Sequence, residues 1–353
     1  MTVDSGKELS RQVKEQGEFY TREKFSDLDC RNMDFSGGIF SEIEFSNCDF
    51  SGSNLRETAF NNCVFKSSKF SGAKLKETVF ANTDLNGTDF VQAKMDSTKF
   101  IDCTCKQSQF TGCMFETVIA SKTDLTGALL NQANFNTSVF ANCVFLNADF
   151  SESTLVKSIF NEGEFASNNF DKVSIQQSFF SKADFKNVDF SNKDLTLVQF
   201  SECLLTGCDF SSSKLMQAGF MNADLSNSKF DNANVENGNF YEATLTAVSM
   251  TKANVSKCSM QKAKIKQVNC TGANMEMTQL TDSIIQQSVF SGVNFTGADL
   301  SHAVIQDSDF SNTYFKTARL HELYDENTLW DGSIKIDAQK PDPAKQKAEQ
   351  WGK

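Results

Sequence analysis

Between Cys48 and Phe70 the chain reads CDFSGSNLRETAFNNCVFKSSKF, with Phe50, Leu55, Phe60, Phe65 and Phe70 spaced at every fifth residue. An α-helix buries a face every 3.6 residues and a strand every second residue, so a period of five fits neither. It requires a short unit that turns the chain and stacks on its neighbour. The register runs unbroken from Phe25 to Leu320: every residue whose number is a multiple of five is apolar, with Ala120 the weakest. Residues two places earlier are small or modestly apolar, as in Cys48, Ser53, Thr58, Cys63, Ser68 and Ala73. Of 34 Phe, only Phe19 and Phe179 lie off the five-residue positions.

The unit resembles that of the pentapeptide repeat family: loosely alanine, aspartate or asparagine, leucine or phenylalanine, then two variable residues. Ala148-Asp149-Phe150-Ser151-Glu152 matches it closely, while Thr83-Asp84-Leu85 departs at the first slot. The resemblance implies an all-β fold, a right-handed quadrilateral parallel β-helix in which four pentapeptides make one square coil. The central Phe/Leu and the small residue two before it would point inward, the other three outward. About 15 coils, stacked at the strand spacing of about 4.8 Å, would give a rod of roughly 70 Å. Residues 20 apart then share a column. The columns through Phe50 and Phe40 are mostly aromatic, whereas those between mix in smaller residues such as Leu195, Leu215, Val235 and Val255, which suits a narrow filled interior.

This pattern reads as one solenoid, residues 25–320, rather than several globular domains. Residues 1–24 lie outside the register, and Ser5 to Gln16 reads as a short amphipathic helix that caps the first coil. Residues 321–353 are expected to form a C-terminal cap, with Trp330 over the last coil as the resemblance implies, followed by a mobile tail from Asp337 that contains Trp351. The only two prolines, Pro341 and Pro343, fall in that tail. There is no long apolar run and no basic-then-apolar leader, so a cytoplasmic protein with no membrane partner is expected.

The 11 Cys all fall on inward slots: Cys30, Cys105 and Cys270 in central positions, the others in the small one. They read as small buried hydrophobes in a reducing compartment. His302 and His321 read as solvated surface. No phosphate loop, zinc motif or catalytic triad is visible, so no cofactor, metal or catalytic residue is expected, and the chain reads as a non-enzyme.

Function must then lie in the outward columns. One candidate is apolar. In the position before each central residue, one wall reads Ile39, Ala59, Val79, Lys99, Ile119, Val139, Ile159, Phe179, then turns polar at Gln199. β-branched residues suit strands, but an apolar stripe of this length marks a contact surface. A second candidate is acidic: Asp49, Asp89, Asp149, Asp189 and Asp209 in one column, Asp124, Glu164, Asp184 and Asp224 in the next. By resemblance to the quinolone-resistance members of the family, such a wall could mimic DNA and inhibit a topoisomerase such as DNA gyrase. Charge density argues against it, since 33 acids and 24 bases in residues 25–320, net −9, are several-fold sparser than one charge per about 1.7 Å of duplex. Aspartate in this slot also simply suits the repeat and keeps it soluble. Asn234, Asn254, Asn274 and Asn294 could stack as an amide ladder. Lys193, alone among charged residues in a small inward slot, marks a kink or interaction point, since a buried ammonium must snorkel or distort the coil. The sequence thus favours an elongated interaction scaffold or adaptor, bacterial by resemblance, whose short leading segment resembles that of secretion-system accessory proteins. It would bind a protein partner or itself, and no direct nucleic-acid binding is expected.

Overall fold

A computed structural model describes residues 5–17, 19–339, 343 and 347. Trp351 and most of the segment beyond Gln339 lie outside the described residues. The chain forms two compact units, Met1–Ala183 and Asp184–Lys353, each a parallel β-helix. Each is an all-β solenoid, and the chain holds about 15 turns in all.

One corner explains the repeat. In unit 1 the Phe50 carbonyl accepts from Ser53 N at 3.0 Å, closing a tight turn. Gly52 adopts φ 69 there, the left-handed conformation that the third residue of a type II turn requires. The same conformation recurs at five-residue intervals, as at Asn32, Glu42, Asn47, Glu57 and Asn62. Where Asp or Asn precedes the central residue, its side chain strengthens the corner: Asp49 Oδ1 accepts from Ser51 N at 2.9 Å. This is an Asx turn, and it gives the slot its aspartate preference.

Between corners, backbone groups pair with the coils above and below. Phe50 N donates to Lys69 O at 2.8 Å, and Asp49 N to Leu28 O at 3.0 Å. The central side chains stack along each column. Phe40, Phe60 and Phe80 follow one another at 5.2 Å with nearly parallel rings, and Phe60 meets Phe65 edge-on at 5.2 Å. Offset-stacked and edge-to-face contacts are the two arrangements that aromatic quadrupoles favour. The small inward slot carries hydroxyls and thiols because a carbonyl of the preceding coil lies in reach. Thr78 Oγ1 donates to Leu55 O at 2.7 Å and Cys113 Sγ to Phe90 O at 2.8 Å. All 11 cysteines are buried thiols.

The first coil of unit 1 is covered. Ser5 caps a helix, Gly6–Arg11 (α1), its side chain accepting from Glu8 N, and a π-turn Gln12–Gln16 follows. Leu9 and Val13 are buried, Ser10 Oγ donates to Asp34 O at 2.7 Å, and Tyr20 hydrogen-bonds the Gln12 side chain. Gly6 lies so close to the first coil that a Cβ would fall 2.1 Å from Asp29 O.

The corner changes form once within this unit, at Phe165–Asn168, where Asn168 N still donates to Phe165 O at 3.0 Å. Ser167 does not join the left-handed series, and side chains replace part of the ladder. Ser167 Oγ accepts from Asn147 N and Asn168 Oδ1 from Ala148 N, both at 3.0 Å.

In unit 2 the ladder passes through Lys193 without interruption, its carbonyl accepting from Lys214 N at 2.9 Å, and the residue is only half-buried. The amide ladder is formed: Asn254 Nδ2 donates to Asn234 Oδ1 at 2.9 Å, Asn274 to Asn254 at 3.3 Å, and Asn294 to Asn274 at 3.2 Å. Coil geometry continues beyond Leu320 to the bridge between Arg319 and Gln339, although the central slots now hold Asp325, Trp330 and Lys335. Trp330 lies 5.0 Å from Phe310 and 5.6 Å from Phe315. Its Nε1 donates to Asp325 at 2.8 Å, and Lys335 Nζ sits 3.8 Å from the ring centroid. The expectation of two solvated histidines is corrected here: His321 is 5% exposed, with its ring edge-on to that of His302 at a centroid distance of 5.3 Å.

Candidate interaction surface

The apolar column of unit 1 forms an uninterrupted parallel ladder. Phe19 pairs with Ile39, Ile39 with Ala59, and the pairing continues through Val79, Lys99, Ile119, Val139 and Ile159 to Phe179. None of these positions is Asp or Asn, so no side-chain acceptor pulls the backbone into an Asx turn. Each coil crosses this wall as a three-residue strand, such as Ile119–Ser121 and Ile159–Asn161. Outer residues of a strand project from the wall while the central one points inward. Ile39 is 46% exposed, Ile119 45%, Ile159 41% and Phe179 39%, whereas Val79 and Val139 are half-buried between their neighbours.

Sequence reasoning left Phe19 out of this column by assigning it to the leading segment. It is 58% exposed and begins the ladder; its position 20 residues before Ile39 was the available signal. Ile101, exposed beside Lys99, extends the patch sideways. The other outer residues two places on, Ser41, Asn61, Ala81, Ser121, Ala141, Asn161 and Ser181, are small or polar without charge. Lys99 is the one charge in the stripe.

The acidic residues are differently disposed. In unit 1, Asp49, Asp89, Asp124 and Asp149 each accept the backbone N–H two residues on, at 2.8–3.0 Å, and Asp124 also meets Lys106 Nζ at 3.1 Å. Exposed Leu129 and Val144 interrupt their columns. Glu164 is exposed immediately before the Phe165–Asn168 corner. In unit 2, Asp184, Asp189, Asp209 and Asp224 make the same turn bond. Asp184 pairs with Lys186 at 2.9 Å and Asp209 with Lys229 at 3.8 Å. The hydrogen bonds from Ser191 hold the Asp189 carboxyl below its usual range. The eight aspartates thus each hold a turn in the coil they occupy, whereas the side chains of Ile39, Ile119 and Ile159 stand exposed.

The family profile described as pentapeptide repeats (8 copies) matches residues 29–66, 121–156, 194–232, 220–261, 263–301 and 283–322. This chain belongs to the pentapeptide repeat family. A second profile, described as a pentapeptide repeat region, matches residues 53–123 of this pentapeptide repeat protein. No curated protein sequence matches it. Among solved structures it is similar to full-length QnrB1, a plasmid-mediated fluoroquinolone resistance protein, at 22% identity, covering 61% of this chain and 94% of that one with a TM-score of 0.36. It is also similar to a pentapeptide repeat protein of the Arabidopsis thaliana thylakoid lumen, at 29% identity over 28% of this chain and 66% of that one, TM-score 0.22. A third is HetL of the cyanobacterium Nostoc, involved in heterocyst differentiation regulation, at 19% identity over 75% of this chain and 86% of that one, TM-score 0.16. No helix among the described residues is long and apolar enough to cross a membrane.

Proposed function

We propose that this pentapeptide repeat protein is a non-enzymatic interaction scaffold whose working surface is the apolar wall of unit 1, from Phe19 through Ile39, Ile119 and Ile159 to Phe179. The observation that carries this reading is the exposure of that stripe along one unbroken ladder. Packing inside the coil does not require Ile or Phe at outward positions, and exposed apolar patches of this kind belong to contact surfaces. The fitting partner is a protein that presents an apolar face, or a second copy of this chain. Binding would release water from apolar area and depend little on salt.

The test is capture of binding proteins from a host lysate at low and high salt, comparing wild type with Ile119→Asp/Ile159→Asp. The expected outcome is a partner retained at high salt and lost with the double substitution, while circular dichroism confirms an unchanged fold. A topoisomerase captured only at low salt, and indifferent to the substitution, would shift function to the acidic residues.

A further inference from the structure

We propose that His302, His321 and Glu322 in unit 2 form a binding site for one zinc-class divalent cation. The chain contains only two histidines among 353 residues, and the fold brings both to one place. Their ring centroids lie 5.3 Å apart at 90°. His302 Nδ1 is 3.4 Å from Glu322 Oε2, and one ligand atom from each of the three residues lies within 4.8 Å of the others.

The repeat itself creates this cluster. Positions 302 and 322 are one coil apart in the same corner column, both in the left-handed conformation with φ 58 and φ 49, so their side chains leave the backbone in the same direction. His302 N donates to His321 O at 2.9 Å, which fixes the register between the two coils. His321 is buried, while His302 and Glu322 remain open to solvent. An ion would therefore have an entry path on one side and a desolvated imidazole on the other.

Two imidazoles and one carboxylate are a donor set that zinc accepts, with a fourth position left to water or another ligand. Bonds of about 2.0–2.1 Å in a tetrahedral centre place neighbouring ligand atoms about 3.3 Å apart. The His302–Glu322 separation already has that length at 3.4 Å, and a ring nitrogen of His321 lies within 4.8 Å of both. Magnesium and calcium prefer oxygen donors and do not suit the site. A bound ion would join the coil of Ser301 and His302 to the last coil of His321 and Glu322, below Trp330 in sequence.

The experiment uses the full chain with a histidine-free purification tag, stripped by chelator and titrated with Co²⁺. We expect visible d–d bands of a low-coordinate site that saturate at about one equivalent, bleach on adding Zn²⁺ and ignore Mg²⁺. His302→Ala and Glu322→Gln, at partly exposed positions that should leave the fold intact by circular dichroism, should each weaken uptake at least tenfold. Asp307→Asn should leave it unchanged. Absence of saturable uptake, or uptake that either substitution changes less than threefold, overturns the proposal and leaves His302 and Glu322 as a surface ion pair. The site and the apolar wall share no residue and belong to different units, so neither result bears on the scaffold reading.

Discussion

A buried thiol shows how the coil treats a polarizable small residue. Cys63 and Cys103 lie in inward slots, each Sγ within reach of a backbone carbonyl. Burial pushes both thiols up to about 11, and Cys113 and Cys258 up to about 12. The neutral thiol is thus the form the fold keeps. At pH 8 the native protein should react with an alkylating reagent far more slowly than the same chain in denaturant, since the thiolate is the nucleophile. Folding stability should also decline from about pH 9 towards about 11, because in that window the unfolded chain loses thiol protons that the folded chain retains. Urea unfolding across pH 7–11, compared with a Cys63→Ala/Cys103→Ala variant, checks this: the variant should show a shallower decline.

The terminal elements solve a problem that the repeat creates. Every interior coil covers its neighbours, but the first would present Phe25, Cys30 and Phe35 to water. Helix α1 and the following π-turn place Leu9 and Val13 there instead. Leu9 is fully buried, so Leu9→Ala should cost about 2–5 kcal/mol locally. Hydrogen exchange is the appropriate measurement: amides of the coil from Phe25 to Phe40 should lose protection first, and those near Phe140 should not. In the last coils of unit 2 an aromatic ring continues the stack, with Trp330 against Phe310 and Phe315. Among the walls, one element-level choice sets the local backbone. Aspartate before the central residue makes a self-satisfied Asx turn, whereas Ile or Phe there leaves a strand with an exposed apolar edge.

At the scale of the whole molecule, contacts pass from coil to coil, and damage should remain near its source. Phe65 stacks on Phe45 at 4.8 Å and meets Phe60 and Phe70 at 5.2 and 5.0 Å. Phe65→Ala should destabilise by about 3–5 kcal/mol. The loss should appear as faster amide exchange in the coils between Phe45 and Leu85, while the coils of unit 2 around Phe290 exchange as in wild type. Uniformly faster exchange throughout both units would instead show that the chain unfolds as one cooperative body.

The five-residue register determined the coil, the inward placement of the phenylalanines and cysteines, and the column in which Ile39, Ile119 and Ile159 meet. These follow from a strictly local rule repeated at constant length, so counting along the chain is equivalent to locating residues in space. The amide ladder of Asn234 to Asn294 was legible for the same reason. Where the rule breaks, counting fails. Phe19 was assigned to the leading segment because the apolar register begins after it, yet backbone pairing reaches one coil further. The last coil was placed outside the repeat because Asp325 and Lys335 are not apolar, although hydrogen bonding carries the backbone to Gln339. His302 and His321 looked unrelated at a separation of 19 residues. Only the tertiary structure decided that one lies buried beside the other, because a turn of 20 residues stacks position 302 on position 322 and brings the residue just before it into contact. The folded corner likewise added what the sequence does not display: Asp49, Asp89 and Asp124 hold turns through their carboxylates, while Ile39, Ile119 and Ile159 stand exposed on a strand ladder.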